Sequence, residues 1–173
     1  MSGPQARAAG RAAARAASDA GSRPAAAAAG AGPWLGVDLG LSRIGLSLSD
    51  RSLALAMPLA TYPRGGLGEL ALAEWLAQVM QEHEASRVVI GVPLNMNGSA
   101  GPRAAHAQGV ADALAARGVA VTLQDERLST VEAEAHLRRA GRRAKNQRAV
   151  VDQAAAVIIL QAALDAHRNV TKR

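Results

Sequence analysis

Residues 34–50 have the sequence WLGVDLGLSRIGLSLSD, in which a carboxylate interrupts an apolar run. Residues 35–39 predict a strand, residues 40–43 a turn, and residues 44–48 a second strand in which leucine alternates with serine. The two strands form a predicted hairpin that carries Asp38 in its first strand. A carboxylate in such a strand is costly unless a cation or hydrogen-bond donors compensate for its lost hydration. Asp38 is therefore a candidate metal ligand; the alternative is an aspartate that caps the turn through its own backbone.

The rest of the chain predicts an α/β fold. After the hairpin, we expect a strand over 53–59 that ends near Pro58 and a helix over 67–84 with Leu70 on its apolar face. A strand over 87–92, a loop over 93–101 and a helix over 102–117 closed by Gly118 follow. The last expected elements are a strand over 119–123, a helix capped by Ser129 with Glu132 at the capping-box position, and a helix over 151–166. A hairpin followed by β-α-β units predicts a mixed five-stranded sheet flanked by helices. This is the element order of the RNase H-like fold.

Composition favours one intracellular domain. The chain has 173 residues, of which 49% are hydrophobic, and no cysteine, which excludes disulfides and thiolate zinc sites. No apolar run approaches the ~18 residues of a membrane span, so we expect a cytoplasmic protein without a membrane partner. Residues 1–33 are rich in Ala, Gly and Arg and predict a disordered basic tail. The folded domain is expected over 34–168, followed by a short basic C-terminal end over 169–173.

The charge distribution suggests a polyanionic partner. The net charge is +6, and six cations without an acid among them are concentrated near the C-terminus: Arg138, Arg139, Arg142, Arg143, Lys145 and Arg148. Such a cluster favours nucleic-acid contact, although a solvated face is the simpler alternative. Trp34, Trp75 and Tyr62 are the only aromatic residues. We therefore expect nucleic acid to be held through its phosphates rather than by base stacking.

Four acids lie where strands end or helices begin. Asp38 is on the first strand, Asp125 and Glu126 follow the last strand, and Asp152 opens the last predicted helix. Ligand sites in open α/β sheets favour the carboxyl ends of strands, and converging carboxylates there would bind Mg²⁺ or Mn²⁺. Alternatively, Asp152 only stabilises a helix N-terminus, and Asp125 and Glu126 pair with Arg127 at the surface. Asp50 is interpreted as a turn residue after the second strand.

Four segments resemble the YqgF family, also called RuvX, whose members are described as Holliday-junction-resolvase-like or pre-16S rRNA nuclease proteins. These segments are GVDLGLSRIGLSLSD at 36–50, VVIGVPLNMNGSAGPR at 88–103, DERLST at 125–130 and DQAAAVIILQAALD at 152–165. The resemblance implies an RNase H-like fold and an acidic triad of Asp38, Glu126 and Asp152. The chain departs from the family pattern at Asn97-Gly98, where Asp-Gly is common, and in the arginines of its basic run, where lysines are common.

These observations lead to the hypothesis of metal-assisted phosphodiester hydrolysis. Asp38, Glu126 and Asp152 would be both catalytic residues and ligands for two Mg²⁺ or Mn²⁺ ions. The expected substrate-binding residues are Arg43, Asn95, Arg103, Arg127, Arg142, Arg143 and Lys145, although each arginine could be an ordinary surface residue. The implied activity is 5′-end processing of the 16S rRNA precursor in ribosome biogenesis, by a monomer or a homodimer.

Three other functions fit part of the pattern. The first is a Holliday-junction resolvase that acts on branched DNA, normally as a symmetric dimer. The second is a non-catalytic RNA-binding factor of ribosome maturation. Sugar kinases and actin-like ATPases also have an Asp-x-Gly strand and turn, but they need two such domains, and this chain has room for one.

Overall fold

The computed structural model describes residues 32–93, 101–126 and 147–171, and in the last range it describes side chains only from residue 153 onward. Most of the predicted N-terminal tail therefore lies outside the described residues, as does the helix predicted from Ser129. The described strands are β1 (Trp34–Leu39), β2 (Arg43–Ser49), β3 (Ala56–Pro63), β4 (Arg87–Val92) and β5 (Val121–Asp125). The described helices are α1 (Glu69–Glu82), α2 (Pro102–Ala115) and α3 (Gln147–Thr171).

The five strands form one mixed sheet in the order β3-β2-β1-β4-β5. Strands β1, β4 and β5 are parallel to one another, whereas β2 is antiparallel to both β1 and β3. Strands β1, β4 and β5 consequently end at one end of the sheet, where β2 begins. We call this the carboxyl end of the sheet and the opposite one the amino end. The arrangement confirms the predicted mixed five-stranded sheet.

Helices cover both faces of the sheet. Leu35, Val37 and Leu39 of β1 point to the face covered by α1 and α2, where they join the larger apolar core. Trp34 of β1 and Val89 of β4 point to the other face, where they pack against Ile159, Leu160, Ala163 and Leu164 of α3. Because side chains alternate along a strand, Gly36 and Asp38 also belong to the face that α3 covers.

Helix α3 lies very close to the centre of the sheet. A Cβ added to Gly36 would be 2.6 Å from Leu160 Cβ and 3.0 Å from the carbonyl oxygen of Ala156. The buried hydroxyl of Ser47 on β2 donates a hydrogen bond of 2.8 Å to the same carbonyl oxygen. A glycine and a short hydroxyl side chain thus allow the helix backbone to approach the sheet and fix its position.

The predicted third strand was misplaced. It was expected over 53–59, but β3 spans Ala56–Pro63 and continues through Pro58. The strand tolerates proline because it lies at the edge of the sheet and because the pairing shifts register between Leu46 and Ser47, opposite Pro58. The residues before β3 form a turn instead, since Asp50 accepts hydrogen bonds from the backbone N–H groups of Ala54 and Leu55.

Two further element predictions were wrong at their ends. The first helix was expected over 67–84, but α1 spans Glu69–Glu82. Leu70, which was placed on its apolar face, is 69% exposed in the first turn, whereas Leu72, Leu76 and Val79 are buried. The last strand was expected over 119–123, but β5 spans Val121–Asp125. Val119 closes the end of α2 by donating its N–H to the carbonyl oxygen of Leu114, and this delays the strand. Asp125 therefore ends β5 rather than following it.

The last helix begins earlier and ends later than predicted. It was expected over 151–166, but α3 spans Gln147–Thr171, so residues 169–171 of the predicted C-terminal end continue the helix. Asp152 does not open this helix; it lies in its second turn, beyond the reach of the N-terminal dipole. Within the described residues, no helix combines the length and the apolar character needed to cross a membrane.

Candidate functional site

Asp38 lies near the carboxyl end of the sheet on the face covered by α3. Its strand is central, with β2 on one side and β4 on the other, and the side chain is only partly exposed. Asp38 is paired with Gly45 of β2, and the next pair, Leu39 with Ile44, is followed by the turn at residues 40–42. The rigid centre of the sheet therefore holds a carboxylate beside an exposed turn.

Glu126 directly follows β5, and its carboxylate lies over β4. A Cβ added to Gly91 would be 2.6 Å from Glu126 Oε1 and would also overlap Ile159 of α3. Gly91 follows Ile90, the partner of Val37, and therefore lies beside Asp38 in the sheet. The absence of a side chain at Gly91 creates the space in which the Glu126 carboxylate approaches Asp38.

The surroundings of Glu126 disfavour the charged form of its carboxyl group. Burial raises the pKa of Glu126, and the negative charges of Asp38 and Asp125 raise it further. The positive charge of Arg103 opposes this shift. Perturbed pKa values of this kind are common among the acids of functional sites.

The position of Asp152 follows from the direction of α3. The ring of His167 is 5.0 Å from that of Trp34, at the start of β1, whereas Ala156 and Leu160 lie over Gly36. The helix therefore runs antiparallel to β1, and residue 152, one turn before Ala156, is at the carboxyl end of the sheet. The side chain of Asp152 lies outside the described part of the chain.

Two of the predicted substrate-binding arginines are at the same end of the sheet. Arg43 is exposed and begins β2, next to the turn that follows Asp38. Arg103 is exposed in the first turn of α2, and its charge acts on Glu126. The other predicted substrate-binding residues lie outside the described residues: Asn95, Arg127, Arg142, Arg143 and Lys145.

The chemistry of these donors suits a hard divalent cation. Asp38 and Glu126 offer carboxylate oxygens, the ligands that Mg²⁺ and Mn²⁺ prefer, and a cation would relieve their mutual repulsion. Among the side chains described, no three acids or histidines come close enough together to hold a metal ion. The described side chains thus include two of the three predicted ligands, Asp38 and Glu126, and the third, Asp152, lies outside them.

Sequence reasoning missed the contribution of Gly91. Its signal was present, because a glycine interrupts the otherwise branched run RVVIGV of β4. A glycine inside a strand often marks a place where another group approaches the backbone closely. Here the approaching groups are Glu126 and Ile159. Asp50, by contrast, is the turn residue that the sequence predicted, since its carboxylate accepts hydrogen bonds from the turn that follows.

The mixed sheet and its covering helices form an RNase H-like fold, and two of the predicted acids, Asp38 and Glu126, lie at its carboxyl end. A solved structure described as "T. thermophilus RuvC in complex with Holliday junction substrate" shares this fold, with a TM-score of 0.52 and 16% sequence identity over 79% of this chain and 96% of that one. The family model RuvX, described as Holliday junction resolvase, matches residues 32–166. The chain belongs to the RuvX family.

Curated relatives are similar over most of their length. A protein of Anaeromyxobacter dehalogenans named "Putative pre-16S rRNA nuclease" is 49% identical over 132 residues, which are 76% of this chain and 95% of the relative. Proteins of the same name from Mycobacterium ulcerans and Myxococcus xanthus are 49% and 48% identical over 78% of this chain, and over 79% and 88% of their own lengths. These matches confirm the family, the fold class and the nuclease activity predicted from sequence.

Proposed function

We propose that this chain is a divalent-metal-dependent nuclease that processes the 5′ end of the 16S rRNA precursor. The observation that carries the proposal is the position of the Glu126 carboxylate over Gly91, beside Asp38 at the carboxyl end of the sheet. Burial and the charge of Asp38 both raise the pKa of Glu126. The RNA substrate is taken from the printed names of the relatives. Such an enzyme would act in the cytoplasm, where the precursor is made.

Asp38, Glu126 and Asp152 are the residues that would hold Mg²⁺ or Mn²⁺. When bound there, such ions would supply positive charge to stabilise the phosphate in the transition state and to favour ionisation of the attacking water. Asp38 lies on the central strand β1, and the Glu126 carboxylate lies against the backbone of Gly91. The chain therefore orients its ligands before substrate arrives, so little reorganisation is needed during the reaction.

Arg43 and Arg103 would bind the phosphates on either side of the scissile bond. Both are exposed at the carboxyl end of the sheet, and guanidinium groups bind phosphate oxygens with paired hydrogen bonds. Contacts of this kind position a nucleic acid without reading its sequence. We expect Asn95, Arg127, Arg142, Arg143 and Lys145 to extend the same surface.

The decisive experiment incubates the purified protein with Mg²⁺ or Mn²⁺ and with two matched substrates, a precursor 16S rRNA 5′-end fragment and a four-way DNA junction. The control is Asp38→Asn, which keeps the shape of the side chain and removes its charge. Metal-dependent cleavage of the RNA alone, lost in the variant, is the expected result. Undiminished cleavage by pure Asp38→Asn protein would refute the assignment of this site.

A branched-DNA resolvase is the second candidate, because the matching family model carries that description. Such an enzyme cuts two strands symmetrically and is normally a dimer. Preferential cleavage of the junction, together with a dimeric mass in solution, would favour it. A protein that binds RNA equally well with and without chelator, and that cleaves neither substrate, would instead be a binding factor.

A further inference from the structure

A second group of polar side chains lies beside the turn that follows Asp38. Arg64, directly after β3, is linked through Nη2 to His106 Nε2 at 2.7 Å and donates from Nη1 to the carbonyl oxygen of Gly40 at 3.3 Å. The backbone N–H of Arg64 donates to the carbonyl oxygen of Ser42 at 3.0 Å. Arg64 therefore contacts both ends of the three-residue turn between β1 and β2.

The hydrogen bonds define the state of His106. A guanidinium group has only donors, so Nε2 of His106 must accept the hydrogen bond from Arg64. In the neutral ring the proton then lies on Nδ1, which donates to Glu69 Oε1 at 3.2 Å. The Glu69 carboxylate in turn lies against α2, where a Cβ added to Gly109 would be 2.7 Å from Oε1. A continuous chain of contacts thus runs from Glu69 through His106 and Arg64 to Gly40.

Helix α2 connects this chain of contacts to the acidic site. His106 is three residues after Arg103, a spacing that puts both side chains on neighbouring parts of one helix surface. Arg103 acts electrostatically on Glu126, whereas His106 holds the arginine that contacts the turn after Asp38. The two segments that carry the acids are therefore both linked to the first two turns of α2.

We propose that Arg64 and His106 are positioning residues that fix the turn at residues 40–42, and with it Asp38, relative to Glu126. The inference rests on the proposed nuclease function, but the positioning itself is a property of the metal-free protein. The competing explanation is that Arg64 binds a substrate phosphate directly. The two explanations differ in what they predict for His106. A neutral imidazole has no charge with which to bind a phosphate, so removal of the ring should lower kcat only if the turn at residues 40–42 must be held in place.

The kinetic test compares Arg64→Met, His106→Phe and the double variant on the RNA fragment. A positioning role predicts that each variant lowers kcat about 10-fold, as expected for groups that orient metal ligands, with KM and the salt dependence of binding unchanged. The double variant should be no worse than either single one, because both break the same chain of contacts. His106→Gln keeps an acceptor for Arg64 and should restore most of the activity, and it also serves if His106→Phe does not fold.

The matched control is Arg51→Met. Arg51 pairs with the carboxylate of Glu84 at the amino end of the sheet, so this variant removes the same charge away from the site. Its kcat should stay at the wild-type value. An increase in KM and a reduced salt dependence in Arg64→Met alone would overturn the positioning role, as would additive losses in the double variant or an unchanged kcat in both single variants.

A second readout needs no catalysis. Amide chemical shifts of the metal-free protein should change at residues 38–43 in Arg64→Met and His106→Phe, and stay unchanged there in Arg51→Met. If the wild-type protein cleaves no substrate, the proposed function fails, and these shifts alone decide the positioning role. Unchanged amide shifts at residues 38–43 in both variants would then overturn it.

Discussion

Asp50 and Glu126 lie at opposite ends of the same sheet, and the fold treats their carboxyl groups in opposite ways. At the amino end, hydrogen bonds from the Ser52 hydroxyl and from the backbone N–H groups of Leu55 and Ala54 lower the pKa of Asp50 to about 2. At the carboxyl end, burial and the negative charges of Asp38 and Asp125 raise the pKa of Glu126. The comparison shows that hydrogen-bond donors favour the charged form of one carboxyl group, whereas burial beside other acids disfavours it in the other.

The largest expected effect is a loss of cleavage activity when Glu126 is substituted, compared with no loss when Asp50 is substituted. Glu126→Gln should lower kcat by ~100-fold or more, because loss of even an outer-sphere group of a metal site costs roughly 10–100-fold. Asp50→Asn should cleave like the wild-type protein, because its carboxylate contacts only the turn after β2. Single-turnover cleavage of the precursor fragment measures the activity of both variants. Equal losses in the two variants would remove the distinction between the two ends of the sheet.

The second prediction tests the space over Gly91. Gly91→Ala places a Cβ against Ile159 and 2.6 Å from Glu126 Oε1, so we expect a loss of about 1–3 kcal/mol in the free energy of unfolding. Displacement of Glu126 should also lower kcat, by up to ~100-fold for a shift of about 1 Å. Urea unfolding and cleavage assays measure the two effects.

A double variant separates crowding against α3 from displacement of the acid. Ile159→Val removes the terminal Cδ1 atom that the new Cβ would meet, so Gly91→Ala with Ile159→Val should recover part of the stability. Activity should remain low, because the Glu126 contact is unchanged. Recovery of both together would mean that Gly91 matters only for packing.

The third prediction concerns pH in the metal-free protein. The folded-state pKa of Glu126 lies above its ordinary value of 4.5, so the folded state binds more protons and stability falls as pH rises from 4.5 through the folded-state pKa. For Asp50 the folded-state pKa lies below 3.8, so its contribution is complete above pH 3.8 and is lost as pH falls towards 2. Thermal unfolding from pH 2 to pH 7 should therefore respond to the two acids with opposite slopes.

Substitution of each acid shows which pH dependence of stability that acid causes. Glu126→Gln should abolish the fall in stability above pH 4.5, and Asp50→Asn should abolish the loss of stability below pH 3.8. A divalent cation should also weaken the first effect, because it neutralises the carboxylates. If Glu126→Gln left the fall above pH 4.5 intact, other groups would be responsible for it.

The smallest expected effect concerns the contact that holds α3 on the sheet. Ser47→Ala removes the buried hydrogen bond from Ser47 Oγ to the carbonyl oxygen of Ala156 and should cost about 1 kcal/mol. In a domain of this size that corresponds to a Tm decrease of roughly 2–4 °C. Ser52→Ala, at the Asp50 turn, is the matched removal of a hydroxyl outside the core and should lower Tm less. A larger Tm decrease in Ser52→Ala than in Ser47→Ala would show that the turn contributes more to stability than the helix contact does.

Much of the fold was predictable because it depends on local patterns. The apolar run around Asp38 and the branched run of β4 identify two central strands, and glycine at 118 correctly marks the end of α2, with a φ of 79°. The edge strand β3 was misplaced because the register shift that accommodates Pro58 depends on its pairing with β2. The start of α3 was missed because its first turns have no strong capping signal.

The site was less predictable than the fold. Asp38 and Glu126 were identified as candidates, but their approach depends on Gly91, which contributes only empty space. Arg64 and His106 were not singled out, because an arginine after a strand and a histidine on a helix have no distinctive spacing. Such contacts follow from the three-dimensional arrangement of β3, α1 and α2, and a linear pattern does not contain them.

The outer edge of β3 has a consequence for self-association. Pro58 and Pro63 provide no N–H group to a neighbouring strand, and the register shift opposite Pro58 interrupts regular pairing. Among the described strands β3 has no partner on this side, and an edge with these features is a poor template for adding a strand from a second molecule. The chain can therefore expose Met57 and Tyr62 on this strand while disfavouring growth of an intermolecular sheet during folding at high concentration.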